Sequence, residues 1–167
     1  MDPEPFFYKL SYASAFTAHM ADRVNESIMD QSKHLFELNH IQTPTRSASI
    51  MIYLYEHGAK SLTEIARDYV QQHQLVASRV TPLEKLGLVE RYRDPDDARR
   101  NLLRLTEKGK KDAEKIVQVS KLIATALDEI FKQTGIDLMS GLLEVEKRLK
   151  RPHPSDRPGT ISKPREK

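Results

Sequence analysis

Apolar residues recur at helical spacing in six stretches of this chain and give way to short strand-like runs in one place. Leu10, Phe16, Met20, Val24 and Ile28 follow one another at four to six residues, which predicts a first amphipathic helix from Phe6 to about Lys33. Thr43 to Ser47 (TPTRS) offers a cap with proline at the first helical position, and Ile50, Met51, Leu54 and Tyr55 then form an apolar face ending at Gly58. Ser61 and Glu64 have the spacing of a capping box, and Leu62, Ile65 and Ala66 give a short third helix its inner side. After the polar run QQHQ, Val76, Val80 and Leu83 mark a fourth helix between Leu75 and Leu86, with Gly87 as a left-handed stop.

Two strand-like runs follow, LVERYR and NLLRLT, separated by the turn formers of DPDDAR, so a β-hairpin is expected. Thr106 caps a long fifth helix with Ile116, Val119, Ile123, Leu127 and Ile130 on one stripe, broken at Gly135. A last helix from about Asp137 to Leu149 carries Leu138, Leu142, Val145 and Leu149. Residues 151–167 hold four prolines and almost no large apolar side chain, which predicts a disordered tail.

Pro82 falls inside the fourth helix, where a proline costs about 3 kcal/mol, and Thr81, Pro82 and Glu84 together would make a good start for a new helix. The expectation adopted is one continuous, kinked helix through Pro82.

Composition narrows the function. The chain has 167 residues, enough for one compact unit, and no run approaches the roughly 20 apolar residues that span a bilayer. MDPEPFFYKL at the start lacks a basic region before an apolar one, so secretion is not expected and a cytoplasmic location is. The absence of cysteine excludes disulfides, thiol redox sensing and thiolate metal sites. The net charge of +3 comes from the tail, and the body carries 22 residues of each sign. An argument for binding nucleic acid must therefore rest on where the cations cluster. The six histidines include no pair at three or four residues, and no nucleophile with a base or phosphate-cradling glycine loop appears, so neither a metal site nor an enzyme is expected.

Two short helices, a hairpin and a long helix, in that order, describe a winged helix-turn-helix, which sets its second helix in the major groove and its wing on the flanking backbone or minor groove. Arg91, Arg93, Arg99, Arg100 and Arg104 lie in or beside the hairpin and outnumber Asp94, Asp96 and Asp97. On the fourth helix Gln74, Ala77, Ser78 and Thr81 face outward by periodicity, with Gln72 and His73 at its start.

The segments SLTEIARDY, VTPLEKLGLVER and above all DPDDARRNLLRLTEKG resemble the MarR family, over roughly Thr43 to Lys115. The resemblance implies a mainly α-helical winged helix-turn-helix with a small β-hairpin wing, flanked by N- and C-terminal dimerisation helices. The division that follows is an N-terminal dimerisation helix (1–42), a winged DNA-binding domain (43–110), C-terminal dimerisation helices (111–150) and the tail. It further implies a transcriptional regulator, a ligand-responsive repressor, acting as a homodimer on a pseudo-palindromic double-stranded DNA operator. In the wing, Arg99 matches the arginine that enters the minor groove and Asp97 the acid that braces it. The candidate DNA-contacting set is Ser61, Gln72, His73, Gln74, Ser78, Arg79, Thr81, Arg93, Asp97, Arg99 and Arg100.

Arg79 departs from the family pattern, which usually carries an aliphatic residue there, and its side chain is a candidate to snorkel toward phosphate. The family's zinc-binding histidine pair is absent, so no cofactor is expected. A small aromatic effector is implied only by the resemblance. Tyr12, Phe16, His19, Tyr53 and Tyr55 are the candidates to line its cleft, although ordinary core aromatics are the commoner use of such residues. The alternative is a winged-helix module that binds protein with the same surface and no DNA.

Overall fold

The structure is a computed structural model and describes residues 5–97 and 99–150; the predicted tail at 151–167 lies outside them. Its helices are α1 (Thr17–Leu38), α2 (Ala48–His57), α3 (Leu62–Asp68), α4 (His73–Lys85), α5 (Glu107–Thr134) and α6 (Leu138–Leu149). Strands β1 (Lys60–Ser61), β2 (Val89–Arg93) and β3 (Asn101–Leu105) make one antiparallel sheet in the order β1-β3-β2. Contacts group the chain into two units, one ending at Ile123 and one starting at Ala124, within α5.

In the first unit most of the predicted inward residues of α2 to α4 are inward, but Tyr55, placed on the apolar face of α2, and Val24, placed on the stripe of α1, are exposed. Ile50 and Met51 on α2, Ile65 on α3, and Val76, Val80 and Leu83 on α4 are fully buried, in one cluster with Leu88 just before β2, Leu103 of β3 and Ile116 of α5. The capping box at Ser61 is complete: Ser61 Oγ accepts from Glu64 N at 3.2 Å, and Glu64 Oε2 accepts from Ser61 N at 2.8 Å. α4 runs unbroken through Pro82. Thr81, placed by local rules at the cap of a new helix, instead donates its hydroxyl to Ala77 O at 3.0 Å, one turn back, which is a mid-helix arrangement. Burial of Val80 and Leu83 on either side of the proline offsets what the missing amide loses.

Three local expectations are corrected. Residues 6–16 are not the start of α1; they form two 3₁₀ turns, Phe6–Lys9 and Ala13–Phe16, with Leu10 extended between them. That break lets Phe7 fold back and stack on Phe16, ring centroids 4.9 Å apart, with His19 edge-on at 5.4 Å. Thr43 does not cap α2, whose approach is a 3₁₀ turn, Thr45–Ser47. It is drawn to Asp112 of α5, a buried carboxylate that accepts from Gln42 N at 3.1 Å, Thr43 N at 3.0 Å and Thr43 Oγ1 at 2.6 Å. Finally, β1 adds a third strand, pairing Lys60 with Leu103.

The wing is hinged on α5 by a dense set of bonds. Thr106 N donates to Leu88 O at 3.0 Å, and Thr106 Oγ1 accepts from Gly109 N at 3.0 Å, as a helix cap should. At Gly109 the helix passes so close to Leu88 that a Cβ would sit 1.9 Å from its carbonyl oxygen. Only glycine fits there.

In the second unit, Gly135 takes φ 69° and Asp137 caps α6, its carboxylate accepting from Ser140 N at 3.0 Å. Met139, Leu142, Leu143, Val145 and Leu149 on α6 are all exposed in the single chain, as is Ile130 on α5.

Candidate nucleic-acid interface

The turn between α3 and α4 is built from backbone bonds, Val70 N to Arg67 O at 3.0 Å and Gln71 N to Ala66 O at 3.0 Å. Val70 takes φ 51°, a left-handed conformation that costs a β-branched residue about 1–2 kcal/mol, and its side chain stays exposed. Gln72 is the residue before α4 and makes no side-chain cap bond. It is exposed together with His73, Gln74, Leu75, Ser78 and Thr81, so the outer face predicted for α4 is outside, with Leu75 added to it and Ala77 half-buried.

Arg79 is neither in the core nor free. It is half-buried, and its Nη1 donates to Gln71 Oε1 at 3.2 Å while Ser47 Oγ donates to its carbonyl at 2.8 Å. The helix-turn-helix turn holds this arginine rather than releasing it to the surface.

Most of the hairpin arginines are partnered by carboxylates. Arg91 Nε lies 3.0 Å from Glu84 Oε1, and Arg104 Nε 2.6 Å from Glu90 Oε1, its cross-strand neighbour, with the guanidinium 4.5 Å from the centre of the Tyr92 ring. Arg100 bridges Glu64 Oε2 at 3.0 Å and Asp94 Oδ2 at 3.6 Å, which ties the wing to the cap of α3. Ser61 lies at the same junction, its hydroxyl donating to Glu64 Oε2. The Ser61 hydroxyl and amide, then Arg100, hold the Glu64 carboxyl below its ordinary value, so the junction stays charged through neutral pH.

Arg99 is the outlier of the set. Its side chain is 92% exposed at the tip, with Nε 3.2 Å from Asp97 Oδ1, and Asp97 Oδ1 also accepts from Arg99 N at 3.0 Å. These bonds hold the Asp97 carboxyl below the usual range. Asp97 thus orients Arg99 without covering it. Arg93, at the end of β2, is exposed and has no carboxylate partner among the described residues.

The aromatic candidates for a cleft do not form one set. Tyr12, Phe16 and His19 cluster around Phe7, whereas Tyr53 is buried, donates to Asp68 and meets the His57 and Tyr69 rings. Burial, and then that bond to Asp68, push the Tyr53 hydroxyl up to about 12. Tyr55 lines a separate groove of about 650 Å³ with Leu54, Arg104, Thr106 and Lys110. Among the described residues no three His, Asp or Glu gather as a metal site, and no helix is long and apolar enough to cross a membrane.

An exposed second helix, an antiparallel wing carrying cations and a long helix behind them define a winged helix-turn-helix. Residues 45–100 match the model of the MarR family. No curated protein matches the chain in sequence. Solved structures agree in fold. MepR of S. aureus, solved in complex with DNA, is 20% identical with a TM-score of 0.67, over 80% of this chain and 98% of that one. A MarR-family transcription regulator is 14% identical with a TM-score of 0.61, over 84% and 89%. A MepR-like protein complexed with pseudoligands is 21% identical with a TM-score of 0.61, over 84% and 94%.

Proposed function

We propose that this chain is a transcriptional regulator that binds double-stranded DNA as a homodimer, with α4 in the major groove and the wing tip at the adjacent minor groove. The observation that carries the reading is Arg99, an almost fully exposed guanidinium held by Asp97 at the tip of a wing that Arg100 fastens to α3. A charge kept exposed and oriented before binding loses little freedom on meeting a phosphate-lined groove, whose negative potential attracts it. The similarly folded MepR has been solved in complex with DNA, which supports DNA as the partner.

Gln72, His73, Gln74, Ser78 and Thr81 supply the major-groove face in this reading, and Arg93 and Arg99 the cationic contacts. Ser61, Arg79 and Arg100, each engaged within the domain, act on DNA through position. A homodimer accounts for α6: a 12-residue helix is marginal by itself, and an apolar face that the chain leaves open calls for a partner copy. The flanking segments 1–42 and 111–150 are assigned that dimerising role around the winged domain of 43–110. Release of DNA by a small aromatic effector, and a repressor's sign, belong to the same proposal.

A specific observation favours a second reading. Leu75, on α4 among the polar readers, and Val70, in the turn that leads into it, are exposed and apolar, which suits a protein partner. Arg99→Ala separates the two. If the wing meets DNA, this variant weakens binding to specific and unrelated duplexes alike and flattens the dependence of log affinity on log salt by about one unit. Asp97→Ala gives a milder form of the same loss. Wild-type affinity of Arg99→Ala for every duplex across salt would remove the wing from the interface and favour the protein partner.

A further inference from the structure

The outer face of α4 is poor in the groups that read guanine. Its first cation on the exposed side is Lys85, the last residue of the helix, and Arg79 is turned back onto Gln71. Both exposed hydroxyls are committed to the helix itself, Ser78 Oγ donating to Leu75 O at 2.8 Å and Thr81 Oγ1 to Ala77 O at 3.0 Å. A hydroxyl whose proton is bound to a backbone carbonyl offers only its lone pairs outward. Leu75 completes the face as a 43% exposed apolar side chain one turn before Ser78.

Base pairs differ in the major groove by what they ask of such a face. Guanine presents two acceptors, N7 and O6, and is met by arginine or lysine donors. Adenine presents the N6 amino donor beside the N7 acceptor, and its partner thymine presents a C5 methyl group. Hydroxyl acceptors and a leucine fit the adenine amino group and the thymine methyl, and Gln74 can pair with adenine through both ends of its amide. Cytosine also carries an amino donor, but it has no methyl for Leu75.

We propose that α4 selects A·T pairs at the centre of each half-site, with Leu75 packed on a thymine C5 methyl and Ser78 or Thr81 accepting from an adenine amino group. This rests on the DNA-binding reading above and adds to it the class of base pair that is read.

The test selects bound duplexes from a pool with 20 random base pairs, then replaces thymine by deoxyuridine one position at a time in the enriched duplex. That exchange deletes the methyl and nothing else. A·T pairs should dominate the enriched major-groove positions, and one substitution per half-site should weaken wild-type protein about fourfold, the value of one buried methyl. Leu75→Ala should bind the thymine and deoxyuridine duplexes equally. Because the methyl is removed from the DNA, the decisive comparison needs only wild-type protein. G·C pairs at those positions, deoxyuridine without effect at every thymine, or retention of all duplexes without sequence preference would each overturn the inference while leaving DNA binding intact. Retention of no duplex would overturn the DNA reading itself, and this one with it.

Discussion

Gly109→Ala is expected to lower the melting temperature by roughly 10 °C and to weaken DNA binding at temperatures where the protein is still folded. In an ordinary helix the exchange would add about 1 kcal/mol of helix propensity. Here the new Cβ would lie 1.9 Å from Leu88 O. That oxygen cannot easily retreat, because it already accepts from Thr106 N at 3.0 Å, and Lys108 Nζ donates to the neighbouring Leu86 O at 2.8 Å. Helix and wing base must separate, and because the opposing atoms are backbone the cost lies at or above the upper end of the about 1–3 kcal/mol of forced overpacking, well beyond the propensity gain. At about 4 °C per kcal/mol for a domain of this size, the loss is readily seen by calorimetry. Because Leu88 leads directly into β2, the displacement carries the wing away from α4, so the two elements proposed to contact DNA lose their spacing. A stabilised variant with unchanged DNA affinity would show that the contact at Leu88 is slack.

Asp112→Ala should be comparably damaging to stability for a different reason. Its carboxylate is buried and accepts two backbone amides, from Gln42 and Thr43, and the Thr43 hydroxyl. Removing it leaves those donors without an acceptor where water reaches poorly, at about 1–3 kcal/mol for a buried unsatisfied group. The expected melting point drop is again roughly 10 °C. Asp112→Asn, which retains one acceptor oxygen but brings an amide donor against donors, should recover only part of it. Since the bonds of Asp112 go to Gln42 and Thr43 and not to α4 or the wing tip, DNA affinity of the folded fraction should stay near wild type. A large loss of affinity without loss of stability would place Asp112 in a different role.

How much of this was legible in the sequence depended on the range over which each choice is made. Val76, Val80 and Leu83 turned inward as their spacing required, and Ser61 with Glu64 formed the box that their spacing announced, because both are settled within one or two turns of chain. The failures share long range. Thr43 reads as a helix cap until Asp112, 69 residues away, is brought beside it. Residues 6–16 carry an apolar stripe, yet the uneven six-residue step from Leu10 to Phe16 was the sign that Phe7 would fold back instead. β1 has two residues and exists only through its pairing with β3, too short for any alternation to show.

The hairpin arginines make the same point about the site. Counted along the chain they form a cationic wing, but Glu84 of α4 and Glu64 of α3 partner Arg91 and Arg100, and Glu90 of β2 pairs across the hairpin with Arg104. Charge clustering therefore overstated the number of free cations. The brace between Asp97 and Arg99, two residues apart, was within reach of the family resemblance. Leu75 was passed over because it falls beside the inward stripe of α4, and no local rule marks an exposed leucine as a reader of bases.

Gripping of the phosphate-flanked grooves of duplex DNA by this surface is tested most directly by measuring the affinity of the wild-type protein for a selected duplex from 50 to 300 mM salt. If the protein binds as the proposed homodimer and each copy neutralises at least three phosphates through its wing and α4, log affinity falls linearly with log salt at a slope of about −5 or steeper, at 0.9 per phosphate. A slope near zero, or no binding to any duplex at the lowest salt, would contradict the account.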